Sequence, residues 1–165
     1  PLPSTAEYIG VGQALPEPFT LSVDTAFAKG AAFSEWLALV GATTTPGTLT
    51  LDDGEHSVAA AVPPTQRWLY ASSNPNDPTV AVVEQLTFNT PVGAAAQSSC
   101  GRVLFTDNHV KAGGSGDDSD PEKPFPSGCS SQPPSAQQKA AAFALFDLLS
   151  CIQPDSVAPS PPSIP

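Results

Sequence analysis

Between Thr48 and Phe88 the chain is cut into short strand-like runs by closely spaced turn signals, and no other stretch constrains the fold as much. Thr48–Leu51 alternates polar and apolar residues, as a half-buried strand does. Asp52-Asp53-Gly54 then reads as a turn, His56–Val62 as a second run, and Pro63-Pro64 as its end. Arg67–Tyr70 follows, then the loop SSNPNDP over 72–78, then Val80–Phe88. These connections are too short to hold the crossover helices that parallel neighbours need. The stretch is therefore predicted to be an antiparallel meander.

The flanks read differently. Residues 1–20 carry prolines and glycines without periodicity and are expected to be an extended lead-in. Over residues 29–40, Ala32, Phe33, Trp36, Leu37 and Val40 share one face of a helix, and Gly41 supplies its stop. Residues 101–106 (GRVLFT) are apolar in the middle, which predicts a strand buried on both faces. A polar loop covers 111–136. A helix over 135–151 closes the fold, with Ser135 as N-cap and so little polar surface that it should be well buried. Beyond Pro154 the chain is serine/proline linker. The expected organisation is a lead-in (1–20), a single α/β domain (21–153) and a linker (154–165).

Composition narrows the function classes. The net charge is −10 and lysine plus arginine number only 6, which speaks against a nucleic-acid or anionic-membrane partner, since both need clustered cations. No apolar run approaches the roughly 20 residues that span a bilayer, so no membrane insertion is expected. Methionine is absent and prolines mark both ends, which predicts a processed fragment of a larger protein. Few charged residues and 20 prolines suit a secreted, cell-surface or periplasmic protein. Cys100, Cys129 and Cys151 form no CxxC pair, which disfavours zinc. In a secreted chain their odd number predicts one disulfide and one thiol left over or paired elsewhere.

The run CGRVLFTDNHV over 100–110, followed by an apolar helix ending FALFDLLSC at 151, resembles the C-terminal part of class I glutamine amidotransferase-like domains. The likeness is greatest to the trehalose-utilisation (ThuA-like) branch and covers about residues 99–152. It implies a flavodoxin-like α/β fold, with a mixed, partly antiparallel sheet, flanking helices, and a histidine presented at the end of the glycine-arginine-valine strand. Amidotransferases also need a nucleophilic cysteine on a tight strand-to-helix elbow among glycines. This chain has no such elbow: Cys100 begins a strand, Cys129 lies in a loop and Cys151 ends a helix.

If the strand 101–106 runs up and the last helix returns down, Cys100 and Cys151 meet at one end. A disulfide there would stabilise by about 3–4 kcal/mol on loop-entropy grounds; the alternative is two buried free thiols. His109 stands just past the C-terminal end of that strand, where ligand sites of open α/β sheets gather. It reads as a base or metal ligand with Asp107 as its orienter and Cys129 as a conceivable nucleophile, or as a histidine bonding loop backbone. Asp117, Asp118, Asp120 and Glu122 could offer oxygens to calcium, the only cofactor suggested, although the EF-hand order is absent; a solvated acidic loop is the plainer reading. His56 reads as a strand-edge residue, and Trp36, Trp68, Tyr70, Phe88 and Phe105 as core rather than a sugar platform. The favoured function is a non-catalytic structural or binding module of a larger secreted or surface protein, assembling with its precursor or with copies of itself. The rivals are a hydrolase-like or carbohydrate-acting domain centred on His109, and a calcium-dependent adhesion module.

Overall fold

The computed structural model describes residues 5–110, 133–149 and 153–158. Its strands are β1 (Ala6–Ala14), β2 (Phe19–Val23), β3 (Thr48–Leu51), β4 (Glu55–Ala61), β5 (Gln66–Ala71), β6 (Val82–Thr90) and β7 (Gly101–Thr106). Its helices are α1 (Ala28–Leu39) and α2 (Ala136–Leu149). Five strands form one sheet in the order β3-β2-β5-β6-β7, and β1 pairs with β4 in a separate ribbon. Neighbouring residues Val82 and Val83 belong to different cores, as alternation along a strand demands. Val82 joins Phe33, Leu37, Trp68 and Ala140 under the helices. Val83 joins Ala6, Val58, Leu86 and Phe88 under the ribbon. The sheet is thus sandwiched between two helices and a two-stranded ribbon.

Every described pairing is antiparallel, so the mixed sheet expected from the resemblance does not form among these strands. The reason lies in the α1 connection. Val23 N donates to Gly47 O at 2.8 Å, so the chain re-enters the sheet at the end it left, and β3 runs back along β2. A crossover would have delivered it to the opposite end. The strands from β3 to β6 pair antiparallel as expected, but they do not form the expected meander: only β5 and β6 pair with each other, while β3 pairs with β2 and β4 leaves the sheet to pair with β1.

Local signals account for both helix ends that carry them. Gly41 sits at φ +65 just past α1. Gly41 N donates to Ala38 O and Ala42 N to Leu37 O, the paired bonds of a Schellman stop that needs a left-handed residue. At the start of α2, Ser135 Oγ accepts from Gln138 N while Gln138 Oε1 accepts from Ser135 N, a reciprocal capping box.

Four expectations need correction. Residues 6–14 are not a lead-in: they form β1, whose register slips at Tyr8 and again before Gln13. Gly10 at φ +92 and these irregularities erase the alternation by which a strand is read. Among the described residues β7 is an edge strand, with no strand on its far side, and it is only half-buried. Helix α2 buries Gln137, Ala140 and Ala144 but exposes Leu145, Phe146 and Leu149, so its apolar surface is not all core. Asp155, beyond the expected linker boundary, is tied to the domain by Lys29 and Arg102.

That tie belongs to a largely buried ionic network. Arg102 Nε donates to Asp147 Oδ2 at 2.8 Å, and its Nη2 to Asp155 Oδ1 at 2.6 Å and to Thr87 Oγ1 at 2.9 Å. Its Nη1 donates to Asn89 Oδ1 at 3.1 Å. Lys29 Nζ donates to Asp147 Oδ1 at 2.6 Å. Among the described residues two cations and two carboxylates balance. They join α1, β7, the C-terminal end of α2 and the segment after it, and they show that α2 runs antiparallel to β7.

Candidate functional site at the end of β7

Past Thr106 the backbone of β7 is gripped by the turn before β4. Glu55 N donates to Asp107 O at 3.0 Å, and His109 N donates to Asp53 O at 3.1 Å. Gln137, in the first turn of α2, closes the junction. Its Nε2 donates to Asp53 O at 2.8 Å and to His109 O at 2.7 Å, and its Oε1 accepts from Asp52 N at 2.7 Å. One buried amide therefore fastens helix, turn and strand end together.

The histidine predicted to matter is displayed here. His109 is 57% exposed in its side chain, and its Nδ1 lies 3.3 Å from Asp53 Oδ1. Asp107 does not orient it. The Asp107 carboxylate turns to β4, where Oδ2 accepts from Ser57 N at 2.7 Å and from Ser57 Oγ. The acid beside His109 is Asp53, which had read as a mere turn residue. Among the described residues the arrangement is a histidine–carboxylate pair without a nucleophile. Cys129 lies outside the described residues, as do Cys151 and the acidic run Asp117, Asp118, Asp120 and Glu122. Among the described residues no group of three or more metal-ligating side chains is arranged to hold a metal, and no helix is long and apolar enough to cross a membrane.

Two polar features of this region escaped the sequence reading. His56, the second residue of β4 in the two-stranded ribbon, is buried. Asn76 N donates to Asn74 Oδ1 at 2.9 Å, which fixes the Asn74 amide so that its Nδ2 donates to His56 Nδ1, 2.8 Å away. The imidazole thereby pins the 72–78 loop, while its Nε2 is buried with no partner. Glu84 is fully buried on β6, and neither carboxyl oxygen has a hydrogen bond. Burial first, then the Asp107 and Glu55 carboxylates, pushes its acid up to about 8. The signal was legible: a lone acid inside VVEQLTF is out of keeping with a buried strand.

Elsewhere, a cleft of about 390 Å³ runs between β4 and β5, lined among others by Asp24, Ala60, Thr65 and Arg67. Arg67 pairs with Asp24 at 3.0 Å and its guanidinium lies 3.5 Å over the Tyr70 ring, so its charge is already satisfied. Of the aromatic residues, Trp68 and Phe88 are core, while Trp36, Tyr70 and Phe105 are half-buried. No family model, curated protein or solved structure matches this chain.

Proposed function

We propose that the chain is a non-catalytic structural or binding module of a larger secreted or cell-surface protein. What carries the reading is where the polar groups at the end of β7 are spent. Asp107 is held by Ser57, and Gln137 by the backbone of the turn and strand. A catalytic centre keeps donors and acceptors poised for a substrate; here most of them close the fold. The exposed His109–Asp53 pair favours one rival, a hydrolase-like or carbohydrate-acting domain. A rate that depends on His109 would establish that rival and end the module reading. Kinship with amidotransferase-like domains, and any flavodoxin-like ancestry, is proposed for the strand–loop–helix unit from Gly101 to Leu149 alone, since every described pairing is antiparallel.

The extracellular part of the proposal has its own test. The Arg102–Asp147 contact brings the start of β7 beside the end of α2. Cys100, which is exposed, precedes Arg102 by two positions, and Cys151 follows Asp147 by four. A Cys100–Cys151 disulfide fits that antiparallel return. Intact mass measured with and without reductant, followed by alkylation and peptide mapping, should find these two cysteines linked. Quantitative alkylation of both without reductant would refute the pairing.

A further inference from the structure

Among the described residues Glu84 is the only fully buried acid. It occupies a bulge: β6 carries it as an extra residue between the pairs Leu69↔Gln85 and Tyr70↔Val83. Its carboxyl and two leucine side chains border the same space over Gly54. A Cβ placed on Gly54 would lie 3.1 Å from Leu51 Cδ1, 3.4 Å from Leu15 Cδ1 and 3.6 Å from Glu84 Oε2. Leu15 enters from the β1–β2 link and Leu51 from β3. The charged groups that face Glu84 are Asp107, from the end of β7, and Glu55, from β4; both are acids. His56, the other titratable group on β4, is engaged with Asn74. The four cations among the described residues are committed elsewhere. Lys29 and Arg102 hold Asp147 and Asp155, Arg67 holds Asp24, and Lys139 donates to Gly41 O.

Among the described residues an ionised Glu84 would therefore have no donor and no counter-charge, and would face two like charges. The groups it would repel are the ones that fasten the ribbon. Glu55 N bonds Asp107 O, Ser57 N bonds Asp107 Oδ2, and Leu15 N bonds Gly54 O. We propose that Glu84 is a proton-operated latch: protonated, it lets the β1–β4 ribbon seat on the five-stranded sheet, and ionised, it loosens that ribbon at Glu55–Ser57.

The direction of the pH dependence follows from the raised acid. The unfolded carboxyl titrates near 4.5 and the folded one near 8. Between those values the unfolded chain has released a proton that the folded chain still holds. The contribution of Glu84 to stability is fully present below pH 4.5, falls as pH rises toward 8, and levels off above. The folding constant loses up to about tenfold per pH unit across that window.

The test is denaturant unfolding with amide hydrogen exchange on the full chain between pH 4.5 and 8.5, corrected for intrinsic exchange rates. In the wild type, β1 and β4 amides should lose protection at least tenfold more than those of β2 and β5. Glu84→Gln should flatten the stability profile across the window and remove the selective loosening. Glu55→Gln, which keeps Glu84 but removes one repelling charge, should move the midpoint to lower pH and serves if the first variant does not fold. A Glu84→Gln protein with the wild-type pH slope, or equal loss of protection in ribbon and sheet, would overturn the latch. So would an unmoved midpoint in Glu55→Gln.

Discussion

Arg102→Met is expected to lower folding stability by about 3–5 kcal/mol, because it removes one partner from a buried ionic network and leaves the other charges behind. Arg102 is 3% exposed in its side chain, so water cannot replace what is lost. After the substitution Lys29 faces both Asp147 and Asp155 without the second cation, so the charge among the described members of the network is no longer balanced. Thr87 and Asn89 each lose a donor as well. Methionine keeps the volume, so the loss reports charge and hydrogen bonding, not a cavity. The double variant Arg102→Met/Asp147→Asn restores neutrality and should recover part of the loss. Urea unfolding of the two single variants and the double yields the coupling between the sites. A cost under about 1 kcal/mol for Arg102→Met would mean that the four elements are not held by this network.

Trp68→Ala should cost a similar amount, about 3–5 kcal/mol, for a different reason. Trp68 is the largest fully buried side chain. Its ring meets Phe27 at 5.0 Å, Phe33 at 5.8 Å and Phe143 at 6.1 Å between centroids, so it joins both helices to the sheet. A bulge makes this position: β5 carries Trp68 as an extra residue between Arg67↔Leu86 and Leu69↔Gln85, which lets the adjacent Trp68 and Leu69 enter the same core. Its Nε1 donates to Thr87 Oγ1 at 2.8 Å, the same hydroxyl that accepts from Arg102. Trp68→Phe keeps most of the apolar bulk and drops that bond, so its cost should fall to about 1–2 kcal/mol. Equal losses for the two variants would place the main contribution in the hydrogen bond instead of the packing.

Signals confined to a few residues were legible in the sequence. Gly41 as a stop and Ser135 as a cap are short-range physics, and both act as read. The antiparallel sense of β3 to β6 was legible because short connections leave no room for crossovers, but their pairing was not: β3 and β4 turn to β2 and β1, strands from earlier in the chain. What the sequence concealed depends on distant neighbours. Strand β1 is irregular, and only its partner β4 makes it a strand. GRVLFT is apolar enough for a central strand, but its place at the edge is decided by topology. Arg102 and Asp147 lie 45 positions apart, and neither looks special in its local run. At the candidate site the same division holds. His109 stands just past its strand, as its position in the sequence predicts, but the acid beside it is Asp53 and not Asp107, a fold contact that no spacing reveals.

The network around Arg102, the Gln137 clasp and the Asp107–Ser57 pair make one argument: the polar side chains of this chain mainly hold it together. His109 is where that argument is most exposed to refutation. The direct measurement is hydrolysis of a panel of activated esters and glycosides by the wild type and by His109→Ala, with urea unfolding of both. A structural or binding module predicts indistinguishable rates and a stability change within about 0.5 kcal/mol, as for an exposed side chain. A rate in the wild type that falls by about a hundredfold or more in His109→Ala, the loss typical of a removed general base, would contradict it.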